Sequence, residues 1–170
     1  MFKGTYHHRI DPKGRLPVPS AFRRALADTG SGALVVTLLD QCLAAWPPSE
    51  WARLETQLGA LPAFGKTVKA LTRLLVSRAI DCPIDVQGRI RLPSLLREAA
   101  GIERDAVVVG VLNRFEVWSP ETWSSFLRES ERLLDDASLE VQWPPAPSPG
   151  GPPPPGGPRT SRHPQAKPNR

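Results

Sequence analysis

The sequence has few of the residues that bind metals or form disulfides. Cysteine occurs twice, at Cys42 and Cys82, and histidine three times, at His7, His8 and His163. The two cysteines lack metal-ligand spacing, which favours reduced thiols in a reducing compartment. Adjacent histidines on a strand point to opposite faces, so His7 and His8 do not chelate one ion together. The sequence therefore predicts no metal and no disulfide framework.

Long apolar runs and catalytic motifs are also missing. The N-terminal segment Met1–Tyr6 has no apolar h-region, and no run approaches the length of a membrane span. The sequence contains neither a Gly-rich phosphate loop nor a recognisable Ser/His/Asp set. We therefore expect a cytoplasmic protein that is not an enzyme, with no cofactor, no small-molecule substrate and no membrane partner.

Acidic residues are absent from the last 27 residues, 144–170, which contain 11 Pro, 4 Gly and four basic side chains. Such a composition cannot bury enough apolar surface to offset the entropy of ordering, so we expect a disordered basic tail. The rest of the chain is uneven in charge, because residues 1–78 carry +6 and residues 79–143 carry −5. This asymmetry indicates one face made for an anionic partner.

The chain carries one module twice. Residues 10–23 align without gaps with residues 84–97, and seven of the 14 positions are identical. The match resumes further along with an offset of 72 and includes two tryptophans in each copy, Trp46 and Trp51 against Trp118 and Trp123. A duplication of this kind decides the architecture of the chain.

Each copy predicts strand, tight turn, strand, short helix, strand, turn and strand. We assign 5–47 to repeat 1, 48–78 to linking helices, 79–120 to repeat 2, 121–143 to a C-terminal helix and 144–170 to the tail. Apolar residues recur at helical spacing in 63–78, which indicates an amphipathic linking helix. The tryptophans lie at strand–helix junctions; they could stack on bases, but their duplicated placement favours a role in the core.

The two Gly-Arg turns are the candidate binding elements. Asp at the first turn position and Gly at the fourth suit a tight turn, and the turn-forming residues are Asp11, Gly14, Asp85 and Gly88. A hairpin tip or two-stranded ribbon can enter the major groove of DNA, where Arg pairs with guanine and Gln with adenine. The candidate DNA-binding residues are Lys13, Arg15, Arg9, Arg89, Arg91 and Arg23. Alternatively, Arg15 and Arg89 only pair with the turn aspartates.

The duplicated motif Asp-x-x-Gly-Arg-x-x-x-Pro-Ser-x-x-Arg resembles the SpoVT/AbrB-type DNA-binding domain. Two such domains in tandem, after an opening Met-Phe-Lys-Gly, resemble the MraZ family of bacterial transcriptional regulators over about residues 1–140. The resemblance implies an α+β, mainly β fold: a pseudo-two-fold, swapped-hairpin β-barrel with flanking helices. It also implies ring-like homo-oligomers, nucleoid association, and binding to promoter direct repeats. The implied targets are the division and cell-wall genes, often repressed, and the implied DNA contacts are Lys13 and Arg15, with Arg89 from the second turn.

Two functions remain open at this point. The first is a sequence-specific transcriptional regulator that binds double-stranded DNA through the turn tips, with the more basic first copy leading. Oligomers would add affinity by engaging several DNA repeats at once. The second is an oligomeric protein-interaction scaffold, in which the Pro-rich tail around Pro154 and Pro155 docks partners.

Overall fold

The two copies of the repeat fold into the same order of elements in the computed structural model, which describes residues 1–62 and 65–136. Repeat 1 forms β1 (Phe2–Arg9), β2 (Arg15–Pro17), α1 (Ser20–Ala27), β3 (Ala33–Leu39) and β4 (Cys42–Trp46). Repeat 2 forms β5 (Ile80–Pro83), β6 (Arg89–Arg91), α4 (Ser94–Ala99), β7 (Asp105–Leu112) and β8 (Arg114–Trp118). Helices α2 (Pro48–Gly59) and α3 (Lys66–Val76) connect the copies, and α5 (Pro120–Asp136) follows repeat 2. The expected tail lies outside the described residues.

The repeats exchange their first strands. β1 of repeat 1 pairs antiparallel with β7 of repeat 2, and β5 of repeat 2 pairs antiparallel with β3 of repeat 1. The remaining pairs across the repeats are β4 with β8 and β2 with β6. Neither copy can therefore complete its sheet alone, and this mutual completion is the swapped arrangement that the resemblance implied.

The expected mainly β fold with flanking helices is confirmed, and the strand pairing specifies it further. Six strands form one antiparallel sheet in the order β1-β7-β8-β4-β3-β5, and β2 and β6 form a separate two-stranded ribbon. Within residues 1–62 and 65–136, no strand pairing joins these two sheets into a single closed barrel. The two strands that flank each turn therefore belong to different sheets: the strand before the turn lies in the large sheet and the strand after it lies in the ribbon.

The core lies between the ribbon, the large sheet and the two short helices. Alternation in the ribbon strands turns Leu16 and Ile90 inward, and both are fully buried. Phe22 of α1 packs against Phe2 and Phe115, with ring centroids 5.2 and 5.3 Å apart. Strands from both repeats contribute to this single cluster, so the two copies fold around one shared core.

The outer faces of the repeats are covered differently. Over repeat 1, Trp51 of α2 packs on Trp46, and Thr37 of β3 donates a buried hydrogen bond to the Leu75 carbonyl of α3 at 2.7 Å. Over repeat 2, only α5 is present among the described residues, with Trp123 against Trp118. Trp46, Trp51 and Trp118 are therefore core residues, as expected, and Trp123 packs against Trp118 while partly buried. No helix in the described part of the chain is long and apolar enough to cross a bilayer.

Candidate nucleic-acid interface

The two candidate turns are built identically. In turn 1, residues 11–14, Asp11 Oδ1 accepts the backbone N–H groups of Lys13 and Arg15, both at 2.9 Å. In turn 2, residues 85–88, Asp85 Oδ1 accepts those of Gln87 and Arg89 at 2.9 and 3.0 Å. An Asp side chain that caps its own turn in this way fixes the loop locally. The duplicated aspartates are therefore needed by the turns themselves.

The turn glycines occupy backbone conformations that other residues adopt at a cost. Gly14 has φ +77° and Gly88 has φ +74°, both in the left-handed region. Each glycine carbonyl also accepts a hydrogen bond across the repeats, from Leu92 N–H to Gly14 and from Val18 N–H to Gly88, both at 2.9 Å. The turn of each repeat is thus held by the ribbon strand of the other.

The structure shows the alternative expected from the sequence, in which each turn arginine pairs with the aspartate of its own turn. Arg15 Nε donates to Asp11 Oδ2 at 2.5 Å, and Arg89 Nη2 donates to Asp85 Oδ2 at 2.8 Å. Hydrogen bonds from the backbone and side chain of Arg15 lower the pKa of the Asp11 carboxyl. The Arg89 side chain, followed by its backbone N–H, lowers the pKa of Asp85. Both arginines are therefore oriented by a carboxylate and partly neutralised by it.

The ribbon presents cations on its outward face. Register places Arg15 opposite Arg91 and Pro17 opposite Arg89, while Leu16 and Ile90 between them point into the core. Like charges directly opposite each other destabilise an antiparallel pair. Arg91 has no carboxylate partner among the side chains of residues 1–62 and 65–133. The fold thus tolerates an unfavourable pair, which an anionic ligand would relieve.

The swapped arrangement brings a helix arginine to each turn. A methyl group at Gly88 would lie 2.5 Å from Arg23 Cδ, and one at Gly14 would lie 3.5 Å from Arg97 Nε. Arg23 of repeat 1 therefore lies over turn 2, and Arg97 of repeat 2 lies over turn 1. Arg97 is not among the candidate residues predicted from the sequence. Its identity with Arg23 in the duplicated motif was the signal that could have identified it.

The structure brings most of the predicted residues to one face. Arg9 is the exception among them, because it forms an exposed ion pair with Asp105 across β1 and β7, at 3.2 Å, in the large sheet. The ribbon, its two turns and the two helix arginines that lie over the turns carry six cations and two carboxylates, a net charge of +4. The six cations are Lys13, Arg15, Arg23, Arg89, Arg91 and Arg97. This face can bind an extended polyanion.

The cysteines are buried and belong to the packing of the sheet. Burial raises the pKa of the Cys82 thiol to about 11, and burial also raises that of Cys42. Protonated, buried thiols are poor nucleophiles. The part of the chain that the structure describes contains no group of three or more His, Cys, Asp or Glu side chains placed to hold a metal ion.

Comparison with known proteins identifies the family. The family model described as "MraZ protein, putative antitoxin-like" matches the chain twice, over residues 1–74 and 75–140. The chain belongs to the MraZ family. It is 47% identical over 137 residues to the "Transcriptional regulator MraZ" of Ligilactobacillus salivarius (strain UCC118), which covers 80% of this chain and 93% of the relative. It is 45% identical over 141 residues to the protein of that name from Limosilactobacillus reuteri (strain DSM 20016), covering 83% and 97%.

The two family matches coincide with the duplicated module. The boundary between them, at residues 74 and 75, falls near the end of α3, so each match contains one turn and one ribbon strand. The strand exchange therefore joins the two matched segments. The matched region ends at residue 140, before the Pro-rich segment.

Proposed function

We propose that this protein is a sequence-specific DNA-binding transcriptional regulator that acts without catalysis and binds promoter DNA through the outward face of the β2–β6 ribbon. The observation that carries the proposal is the cross-strand register of Arg15 and Arg91, two like charges placed opposite each other in the ribbon. A two-stranded ribbon fits the major groove, and arginine can bond guanine or phosphate with two parallel hydrogen bonds. The relatives named as transcriptional regulators support the same role.

The roles of the candidate residues follow from their partners. Arg91 and Lys13 have no ion-pair partner among the described residues and would neutralise phosphates or contact bases directly. Arg15 and Arg89 are held by their turn aspartates, so they would approach DNA with a fixed orientation. Pre-oriented side chains lose less conformational entropy on binding. We assign Arg9 a lesser role, because it lies in the large sheet.

Binding to the promoter upstream of the chain's own gene tests the proposal. We expect Arg91→Ala and Arg15→Ala each to weaken binding to that duplex by about tenfold or more, the usual loss for one good base or phosphate contact. Arg53→Ala is the matched control, because Arg53 lies on α2, has a side chain that is 74% exposed and pairs with Glu50 of the same helix. Fluorescence anisotropy at several salt concentrations measures the effect. Equal affinities for wild type, both ribbon variants and the control would overturn the proposal.

The regulated genes and the mode of regulation follow from the family resemblance. We propose repression of the division and cell-wall gene cluster through promoter direct repeats, by a protein of the cytoplasm and nucleoid. A reporter fused to that promoter should rise in activity when the gene for this protein is deleted. It should fall again on complementation with wild type and stay high with Arg91→Ala. A reporter that falls on deletion would contradict repression and indicate activation.

A homo-oligomer would let several ribbons engage successive DNA repeats. Two exposed helical faces support a head-to-tail contact between copies. α3 carries a charge of +3 and exposes Leu71 and Leu74, which are 39% and 53% exposed. α5 carries −3 and exposes Phe126 and Leu133, which are 45% and 64% exposed. Two different surfaces that complement each other generate a ring when the rotation closes, so we propose that α5 of one copy packs on α3 of the next.

Light scattering after size exclusion tests this contact. Leu74→Gln and Leu133→Gln should each yield smaller particles than wild type. The control is Leu112→Gln, since Leu112 is also 64% exposed but lies at the end of β7, away from both helices. A particle mass unchanged by both helical variants would overturn the proposed interface. The scaffold alternative depends on the tail, which lies outside the described residues, so no structural observation favours it.

A further inference from the structure

The two ends of the ribbon have the same backbone but different side chains. The turn-1 end consists of turn 1 and α4, joined where Arg97 lies over Gly14; the turn-2 end consists of turn 2 and α1, joined where Arg23 lies over Gly88. The duplication matches each position at one end with a position at the other. The Asp and Gly that the turn backbone requires are identical at the two ends. The exposed positions that differ are free to serve binding.

The turn-1 end is built for a phosphate. It contains an open groove of about 450 Å³ whose polar side chains are Lys13, Arg91, Ser94 and Arg97. All four can donate hydrogen bonds, three are cations, and no carboxylate lines the groove. Such a set gives charge neutralisation and fixes position, but it carries little information about base sequence.

At the turn-2 end, two of the three groove cations have uncharged counterparts. Gln87 stands at the position of Lys13, Pro17 at that of Arg91, and Val86 at that of Pro12. Of the three groove cations, only the helix arginine is retained, as Arg23. Val86 is 105% exposed, the highest exposure among the large apolar side chains of the described residues. A fully hydrated isopropyl group at the tip of a turn contributes nothing to the core, and burying it against a ligand would be favourable.

Val86 and Gln87 have the chemistry that reads base edges. The major groove presents the C5-methyl group of thymine, which accepts apolar contacts, and the N6 and N7 atoms of adenine, which bond an amide with two hydrogen bonds. Both side chains are exposed at adjacent positions of turn 2, and the Asp85 cap fixes the backbone beneath them. One turn therefore offers contacts to both bases of an A·T pair or of neighbouring pairs.

We propose that the two ends divide the recognition of DNA: the turn-1 end anchors the phosphate backbone, and the turn-2 end reads A·T-containing sequence through Val86 and Gln87. The inference rests on the proposed function and deepens it. The more basic repeat then supplies affinity, while the second repeat supplies sequence discrimination. Because the ends differ, each protomer binds DNA in one direction.

Replacement of thymine by uracil tests the contact of Val86. The probe is a duplex selected from a random library by wild-type protein, and each thymine is replaced in turn, which removes one methyl group without changing base pairing. We expect at least one replacement to weaken wild-type binding about fourfold, the effect of exposing one buried methyl group. Val86→Ala should bind the thymine and uracil duplexes equally at that position. Because the change is made in the DNA, the wild-type result does not depend on the folding of a variant.

Lys13 and Gln87 are equivalent positions and provide a matched pair of variants. Lys13→Ala should weaken binding to selected and scrambled duplexes alike and reduce the slope of log affinity against log salt by about 1. Gln87→Ala should leave that slope unchanged and reduce the ratio of selected to scrambled affinity by about tenfold. A second selection with Gln87→Ala should return a consensus that has lost an adenine position, whereas Lys13→Ala should return the wild-type consensus.

The outcomes separate this inference from the proposed function. Wild type that does not prefer its selected duplex over a scrambled one would overturn both. Suppose instead that wild type prefers its selected duplex, but that Val86→Ala keeps the uracil effects and Gln87→Ala keeps the consensus. This result would overturn the division of recognition and leave the proposed function standing. A consensus altered by Lys13→Ala and not by Gln87→Ala would assign sequence reading to the turn-1 end and also overturn it.

Discussion

The two repeats share their turns and core but differ in what covers their outer faces. Repeat 1 lies under both α2 and α3, and its Trp51 is 7% exposed. Repeat 2 lies under α5 alone in the described part of the chain, and its Trp123 is only partly buried. The duplication therefore preserved the elements that each copy lends to the other. It diverged where a copy faces outward, and there the molecule can acquire partners.

The largest effect should come from removing the tryptophan that anchors α2. Trp51→Ala deletes a buried ring that packs on Trp46 at 5.4 Å between centroids and donates a hydrogen bond to Glu55 at 2.8 Å. We expect a loss of about 3–5 kcal/mol in the free energy of unfolding. The matched Trp123→Ala should cost about 2 kcal/mol or less, because the partly buried Trp123 ring buries less apolar surface than the Trp51 ring. Urea denaturation measures both, and a larger loss for Trp123→Ala would show that α5 is the more deeply packed helix.

The exchanged strands are also unequal, and Gly110 tests this difference. β1 pairs with β7 over eight residues, whereas β5 pairs with β3 over four. A methyl group at Gly110 would lie 2.6 Å from Lys3 Cα, a backbone atom that cannot move aside alone. Gly110→Ala should therefore destabilise by about 1–3 kcal/mol through overpacking. Hydrogen exchange should show β1 opening in Gly110→Ala, and protection unchanged along β1 would contradict the close approach.

The sequence predicted the elements better than their partners. Period-two alternation and the Asp and Gly of each turn are local signals, so the order of strands and turns and the burial of the junction tryptophans can be predicted from the sequence. The exchange of β1 and β5 came from the family resemblance, because no local pattern states which copy a strand joins. Arg97 illustrates the limit: it reaches Gly14 only through that exchange, so a reading within one repeat could not place it at turn 1. The carboxylate partners of Arg15 and Arg89 are local and were anticipated as an alternative.

The turn glycines should give an intermediate effect that separates folding from binding. Gly14→Ala and Gly88→Ala each force a left-handed conformation on a residue with a Cβ, at about 1–2 kcal/mol. At Gly14 the added methyl group also meets the Leu92 carbonyl at 3.0 Å, whereas at Gly88 it meets mainly the flexible Arg23 side chain. The midpoint temperature of thermal unfolding should therefore fall further for Gly14→Ala than for Gly88→Ala. Gly88→Ala should displace Arg23 and weaken DNA binding more than its stability loss explains; equal effects of the two variants on both measurements would remove this distinction.

The smallest effect concerns the two turn carboxylates, where the repeats are most alike. Folding lowers the pKa of Asp11 and Asp85 below the ordinary value of 3.8, because backbone and arginine donors stabilise the ionised form. Their contribution to stability is complete above that value and disappears as the pH falls through the lower, folded-state pKa values. Asn at both positions keeps the backbone acceptor and removes the charge, so the double variant should lose less stability than wild type between pH 5 and pH 2. Thermal melting across this range measures the difference. Because both turns have the same hydrogen bonds from backbone and arginine donors, Asp11→Asn and Asp85→Asn should each account for a similar part of the difference. An effect confined to one turn would show that the surroundings of the turn, rather than the turn itself, set the pKa of the carboxylate.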